Sequence, residues 1–508
     1  MEKKLIFAIA LSMLVLLAWS AIAPKPQPTV VQEVTNNNLA SLTQAPAAIS
    51  QQISCPPKED LACLKFNQAD FEVDFIESLA AVKSVKYNRF QGAEFLLVNG
   101  FALEEKGLIF KKENETPEGI VFSAKDAQKK ITKNFIFSKS GYGMDLEITV
   151  RNLGNQPLEF NPPVVLGTLI YNHSNQQARY QDMTISTREK TSHTSARKDQ
   201  DFADVKFLSL RDRYFCAIIA PAEGDYVGLL RKINKEEASL ALMPKEGKIE
   251  PGKEKTLLFH IYLGPQDLRL INQANPNWSA VIYYGTFDFI AQIIWQLVDF
   301  LYRMVHNWGV AIIILSLLVY LLLYPLTLKQ MRSMKEMQAV QPKVEELRKL
   351  YKDNPQKLNK EIMELYRAHK VNPLGGCLPL LLQMPIFFAL YQVLIRSVAL
   401  KGAHFLWIKD LSEPDRLFVI KSLSPSFPVM GNEINILPIL MTIGMFVQQK
   451  ISAVAATTEA AEQQKIMMII MPVMFGLIFY KMPSGLVLYW FVNSALMLFY
   501  QWKISRAK

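Results

Sequence analysis

Five stretches beyond residue 307 carry no charged side chain: Trp308 to Leu328, Val371 to Ile395, Ile434 to Gln449, Ile466 to Tyr480 and Met482 to Trp502. Hydrocarbon leaves no water to satisfy backbone amides, so apolar runs of this kind cross a bilayer as helices, and five together predict a membrane-embedded α-helical bundle. A sixth run, Leu5 to Ala23, follows Met1-Glu2-Lys3-Lys4. It exceeds an ordinary signal-peptide core, and Pro24 directly after Ala21-Ile22-Ala23 disfavours cleavage, so residues 1–23 read as a retained transmembrane anchor. The net charge of +10 could suggest nucleic acid. The basic residues, however, sit beside apolar runs and form no arm interleaved with aromatics, so no direct nucleic-acid contact is expected.

Charge placement orients the bundle. The segment 329–370 holds eleven Lys or Arg against six Asp or Glu, the loop 397–433 balances four against four, and Lys503 to Lys508 adds three basic residues. Under the positive-inside rule Lys3, Lys4, the 329–370 segment and the tail 503–508 face the cytoplasm, which six spans make mutually consistent. The chain between the first two spans then lies outside the inner membrane, in the periplasm of a cell with an outer membrane.

That external part has two textures. Residues 24–64, rich in Pro, Gln, Asn, Ala, Ser and Thr, read as a flexible linker. From 65 to 285 short alternating runs take over, such as Met144, Leu146, Ile148 and Val150, or Leu257, Phe259, Ile261 and Leu263, and predict an antiparallel β-sandwich. Residues 286–307 switch to helical period, with Phe287, Ile290, Ile294, Leu297, Leu301 and Val305 on one face opposite Asp288, Gln292, Asp299 and Arg303. This is an amphipathic helix suited to the membrane surface. Within 329–370, Pro342 and Pro355 at first-turn positions and the Asp353-Asn354-Pro355 turn predict a helical hairpin, Val344, Leu347 and Tyr351 facing Leu358, Ile362, Leu365 and Tyr366. Met331, Met334, Met337 and Met363 add adaptable apolar contacts or simply pack the hairpin.

No catalytic constellation accompanies this architecture: no phosphate loop, no HExxH, no GxSxG, and six scattered histidines without ligand spacing. The four cysteines lack zinc spacing; Cys55 and Cys63 are a candidate local disulfide, with two free thiols the equal alternative. The physical oddity lies in the spans. Ile434 to Gln449 and Ile466 to Tyr480 reach roughly 22–24 Å at ~1.5 Å per residue, short of a ~30 Å hydrocarbon core, so the bilayer should thin there unless Lys450, Lys465 and Lys481 snorkel enough to absorb the mismatch. Ser316, Gln383, Gln448, Gln449, Asn493 and Ser494 add polar groups, with prolines at 379, 385, 438 and 472. Such side chains either bond neighbouring helices or line a hydrated groove.

Several motifs carry a family likeness. Tyr324-Pro325-Leu326-Thr327, Gln341-Pro342-Lys343, Val371-Asn372-Pro373-Leu374-Gly375-Gly376-Cys377, Gln383-Met384-Pro385-Ile386-Phe387, Gln463-Gln464-Lys465-Ile466-Met467 and Met482-Pro483-Ser484-Gly485-Leu486-Val487-Leu488-Tyr489-Trp490 occur in this order. Together with the weaker Pro251-Gly252-Lys253 and Tyr262-Leu263-Gly264-Pro265, they resemble the YidC/Oxa/Alb insertases, in the Gram-negative form with a large periplasmic domain. The resemblance implies a membrane all-α core of six transmembrane helices, five of them forming the insertase core around a groove open to cytoplasm and lipid. It also implies a periplasmic β-supersandwich similar to sugar-binding mutarotase folds, without sugar chemistry. It implies a non-enzymatic insertase and chaperone without cofactor or metal, whose partners are nascent membrane proteins, the Sec translocon and membrane lipids. With only six residues after Trp502, any ribosome contact falls to the 329–370 hairpin.

Residue by residue, the resemblance sets Ser316, Gln383, Met384, Tyr489 and Trp490 beside clients, with Gln448, Gln449 and Asn493 as further groove candidates. One position departs. The family's groove arginine, four residues before the Tyr-Pro-Leu-Thr tyrosine, is Tyr320 here, which exchanges a charge for a hydrogen-bonding group. Arg396, near the outer end of its span, is the candidate compensating charge, with snorkelling to the interface as the simpler role. Two other functions compete: a solute permease, disfavoured because no paired inverted repeat or midplane charge is seen, and an envelope scaffold or sugar-binding protein carried by the β domain. Deleting residues 65–265 would abolish the scaffold function and spare most insertase function.

Overall fold

The computed structural model describes residues 63–105, 107–170, 180–195, 198–234, 236–352, 354–369, 378–419, 432–452 and 458–506. The expected anchor over 1–23, all but the last two residues of the 24–64 linker, Cys55, the 371–377 motif and the end of the tail lie outside these residues. So does any Cys55–Cys63 pairing; Cys63 itself carries an exposed thiol at the start of the first strand.

The domain predicted as β is β. Strands β1 (Cys63–Asn67), β2 (Phe71–Ile76), β3 (Ala81–Tyr87) and β4 (Ala93–Gly100) form an antiparallel meander. There follow β5 (Lys111–Thr116), β6 (Gly119–Lys125), β7 (Lys129–Phe137), β8 (Gly143–Asn152), the short β9 (Leu158–Glu159) and β10 (Val164–Ile170). Next come β11 (Asp182–Thr187), β12 (Thr191–Thr194), β13 (Gln200–Phe202), β14 (Val205–Arg211) and β15 (Phe215–Pro221). The series ends with β16 (Tyr226–Lys232), β17 (Glu237–Pro244), β18 (Lys248–Ile249) and β19 (Glu254–Pro265). Nine strands make one large sheet, ordered β12-β11-β14-β15-β19-β8-β7-β6-β5, and β10-β17-β16-β13 make another.

Alternation sets which face is buried. Met144, Leu146, Ile148 and Val150 of β8, with Leu257, Phe259 and Ile261 of β19, all point into one core that also holds Phe75, Phe95 and Val164 from the other sheets. Central strand β15 is buried on both faces from Phe215 to Ala220, which explains its continuous apolar run. One inward slot breaks the pattern. Lys133 of β7 is fully buried, and its ammonium donates to the carbonyls of Ala80 and Phe101, two residues held in the left-handed region at φ 43° and 62°. The rings of Phe110 and Phe135 flank the charge, and burial pushes its pKa down to about 7.

Helices take over after β19. Helix α1 (Leu268–Ala274), whose first turn is capped by Asp267, leads to α2 (Asp288–Val305) and α3 (Trp308–Leu350). Then come α4 (Pro355–Ala368), α5 (Leu378–Arg396), α6 (Ile436–Ser452), α7 (Thr458–Phe479) and α8 (Ser484–Arg506). The hairpin differs from expectation in one respect. Pro342 starts no helix but lies inside α3, which runs unbroken for 43 residues from the apolar span into the first hairpin arm. A proline removes one backbone bond from a helix without ending it when the flanking turns persist. The arms meet through part of the expected set, Val340 and Val344 being packed by Met337, Ile362, Leu365 and Tyr366, while Leu347, Tyr351 and Leu358 stand outside this cluster.

Helix α2 packs the face its wheel named, with Phe287, Ile290, Ile294, Leu297, Leu301 and Val305 in or against the bundle core, and differs from it elsewhere. Ala291, Ile294, Val298 and Leu301 pack on α3 and α5, yet Phe289, Ile293, Phe300 and Met304 are exposed, so the helix is apolar on two sides. Asp299, expected on the polar face, is buried and pairs with Arg303 at 2.6 Å and Arg269 at 3.6 Å. His306 at φ 52° and the Asn307 side chain, which accepts from the Val310 amide, turn the chain from α2 into α3.

Candidate functional site

Four helices bring most of the candidate residues into one bundle. Gln383, on the inner half of α5, donates its amide to the Tyr489 hydroxyl of α8 at 2.7 Å, and one turn further along α8 the Asn493 amide donates to the Tyr489 carbonyl at 2.9 Å. Tyr489 is buried. Trp490 turns to the other side, its ring 5.2 Å from both Phe387 of α5 and Phe479 of α7. Met384 beside Gln383 is half-buried. Gln448 of α6 donates to the Met497 thioether of α8 at 3.0 Å, and its neighbour Gln449 is half-buried.

The α3 candidates behave differently. Ser316 is fully buried and its hydroxyl donates to the Ile312 carbonyl of its own helix at 2.8 Å, a local bond rather than one across the bundle. The Tyr320 hydroxyl is buried with no hydrogen-bond partner among the described residues, while the next tyrosine on that face, Tyr324, reaches the Tyr500 hydroxyl of α8 at 3.0 Å. An unserved hydroxyl inside a bundle is costly and marks a place where water or a client group could bind.

Arg396, the candidate compensating charge, lies against the β domain. It closes α5 at the outer end, where its guanidinium lies 3.5 Å from the Asp182 carboxylate of β11 and its Nε donates to Gln392. Arg211 of β14 grips the same carboxylate and donates to the carbonyls of Val281 and Tyr283, just before α2. Burial raises the pKa of Asp182, but the two guanidiniums outweigh it and hold the group below the usual carboxylate range.

Two residues on, in the turn between β14 and β15, Arg213 donates to the Ile395 carbonyl at 2.8 Å, the Ser412 carbonyl at 2.6 Å and the Glu413 carboxylate at 2.8 Å. The loop it reaches ties the starts of α6 and α8. Asp415 accepts from the Ile436 and Leu437 amides that open α6, and the carbonyls of Leu411 and Glu413 accept from the Gly485 and Ser484 amides that open α8. Sequence reasoning missed this rim. Its one legible signal was Arg211-Asp212-Arg213 set between two apolar strands, where buried charges require partners.

Among the described residues one helix segment, Trp308–Lys329 with 22 residues and mean hydropathy 2.5, is long and apolar enough to cross a membrane; Ile436–Lys450 and Ile469–Phe479 are shorter apolar helices. No cluster of ligating side chains fit for a metal occurs among them.

Comparison with known proteins agrees with this layout. Residues 300–508 match the family model described as 60Kd inner membrane protein, and residues 99–297 match that of the YidC periplasmic domain. A membrane protein insertase YidC of Syntrophobacter fumaroxidans is 37% identical over 406 residues, covering 78% of this chain and 72% of its own. Another of Citrifermentans bemidjiense is 30% identical over 557 residues, covering 100% and 99%. The crystal structure of YidC from Thermotoga maritima shares 16% identity over 87% of this chain and 98% of its own, at a TM-score of 0.34, too loose an overlay to bear on detail. These insertases are inner-membrane proteins and not enzymes. The chain belongs to the YidC family of membrane protein insertases, in its Gram-negative form with a periplasmic domain.

Proposed function

We propose that this protein inserts and helps fold other inner-membrane proteins, alone or beside the Sec translocon. Family membership supports the activity; the observation that carries the site is the polar line Gln383, Tyr489 and Asn493 inside an otherwise apolar bundle. Together with the unserved Tyr320 hydroxyl and the Gln448 and Gln449 pair, it is suited to receive the polar tail of a client partway into the bilayer, lowering the cost of leaving water. Met384 and Trp490 would offer apolar contact to the client's hydrophobic segment, and Ser316 the close helix packing that keeps the groove narrow. The short apolar helices Ile436–Lys450 and Ile469–Phe479 favour local thinning of the membrane beside it.

The finer topology belongs to the same proposal. Residues 1–23 anchor the chain and 24–64 tether the domain 65–285 in the periplasm. Residues 286–307 lie at the membrane surface, 308–502 form a five-helix core, and the 329–370 hairpin and tail 503–508 face the cytoplasm. The hairpin, with Met363 exposed, is the surface offered to a ribosome.

The test is depletion of the protein in its host, followed by protease accessibility of newly made small membrane proteins with short translocated tails. Tails that stay protected support the function; normal translocation refutes it and favours a permease or scaffold. With Tyr320 in place of a positive charge, Tyr320→Arg should improve insertion of clients with acidic outer segments. An unchanged yield with Tyr320→Arg, alongside complete loss with Tyr320→Ala, would show that Tyr320 does not act through its electrostatics.

A further inference from the structure

Beside the Asp182–Arg396 and Tyr180–Tyr391 contacts, the β domain meets the helical bundle through the turn Asp212 to Tyr214, whose geometry is that of a donor aimed at a helix end. The last carbonyls of α5 have no partner within their own helix and carry the negative end of its dipole. Ile395 supplies one of them, and the Arg213 Nε donates to it at 2.8 Å. The remaining donors of the same guanidinium bind the Ser412 carbonyl and the Glu413 carboxylate, so one side chain bridges α5 and the 410–416 loop. The plane of the guanidinium is held by the Tyr214 ring at 4.7 Å and the Tyr180 ring at 5.7 Å, and Arg213 is only 8% exposed. Tyr180 and Tyr214 in turn reach Tyr391 of α5 at 3.3 Å and the Ser412 hydroxyl at 3.1 Å.

We propose that Arg213 is a positioning residue of the membrane core, supplied by the periplasmic domain: it caps the outer end of α5 and pins that end to the loop that opens α6 and α8. Arginine is required because three acceptors in different directions need a planar fork of donors, which a lysine ammonium cannot reproduce in one place. Gln383 and Met384 lie twelve and eleven residues before Ile395 on the same helix, roughly 17–18 Å along its axis at ~1.5 Å per residue. A loosened outer end therefore shifts the axial position of the groove side chains relative to Tyr489. That consequence for clients rests on the function proposed above; the capping role does not.

The experiment uses the full chain in lipid nanodiscs and proteoliposomes, comparing wild type with Arg213→Met, Arg213→Lys and Glu413→Gln. Hydrogen exchange is followed at the Ser397, Ser484 and Gly485 amides, bonded to Val393, Glu413 and Leu411, and at the β8 and β19 amides as an internal control. Arg213→Met should raise exchange at the three rim amides by about tenfold or more while the β8–β19 ladder stays protected, because the dock opens without unfolding the domain. Arg213→Lys should fall between, and Glu413→Gln, which keeps both carbonyl acceptors, should do least. Unchanged rim protection in Arg213→Met overturns the proposal, as does equal loss of protection at rim and ladder. Should Arg213→Met prevent folding, the ordering of the other two variants decides, and an effect of Glu413→Gln as large as that of Arg213→Lys overturns it. Insertion into proteoliposomes should drop about threefold in Arg213→Met, with partial rescue in Arg213→Lys. A wild-type chain that inserts nothing refutes the insertase function and leaves the exchange result to judge Arg213.

Discussion

Asp182→Asn removes the carboxylate shared by two guanidiniums, one fully and one largely buried. Arg211 is 1% exposed and Arg396 14%, and both rely on this carboxylate, at 2.8 Å from the Arg211 Nη2 and 3.5 Å from the Arg396 Nη1. Deleting one partner of a buried pair leaves uncompensated charge and costs about 3–5 kcal/mol. Arg211 keeps the Val281 and Tyr283 carbonyls, so the lower half of that range applies, about 3 kcal/mol. For a domain of this size each kcal/mol moves the melting temperature by about 2–4 °C, giving a drop of about 6–12 °C. Differential scanning calorimetry of the full chain at pH 7.5 reads it, and the double variant Asp182→Asn/Arg396→Met should recover at least about 1 kcal/mol, because the second change removes a stranded charge. A shift below about 2 °C for the single variant, or strict additivity in the double, would refute the view that the carboxylate holds both arginines.

Three further outcomes are expected. His193 stacks on Tyr283 at 4.1 Å, and burial, then the nearby Arg211, pushes its pKa down to about 4; the unfolded chain takes up the proton first, so stability should fall as pH drops from 6.5 towards 4, and His193→Gln should flatten that limb of a melting-temperature profile. Lys133 has the same sign in a higher window: with a folded pKa of about 7 against an ordinary value of 10.5, stability should rise from pH 7 to 10.5, by at most about 5 kcal/mol since the carbonyls and rings favour the ammonium, and Lys133→Met should abolish the slope in urea titrations. A Cβ at Gly309 would lie 2.1 Å from the Phe405 ring, so Gly309→Ala should lift the 403–417 loop off α3 at a cost of about 1–3 kcal/mol, seen as faster tryptic cleavage at Lys409.

How much of this was legible in the residues varies by element. The alternation in β8 and β19 was readable because a two-residue period has only two faces to assign, and the structure buries the face the pattern named. Helix α2 was readable as a helix, and the face named, Phe287, Ile290, Ile294, Leu297, Leu301 and Val305, is the one that packs; the exposed second apolar side and the burial of Asp299 were not readable, because they depend on what the rest of the fold leaves uncovered. Pro342 misled because a local preference for the first turn yields where α3 gains more from continuing. Among the candidate site residues, Gln383 and Tyr489 meet, Gln448 finds Met497, and Ser316 turns back on its own helix.

The residues by themselves determined what depends on near neighbours and on solvent: apolar runs, strand alternation, charge asymmetry, caps and family motifs. Only the tertiary structure decided what depends on partners distant in the chain. Asp182 and Arg396 stand 214 residues apart, and Arg213 and Glu413 stand 200 apart. A buried charge announces in sequence that it needs a counterpart, but many acidic residues could serve, and only the docking of the β domain on the outer end of α5 chooses between them.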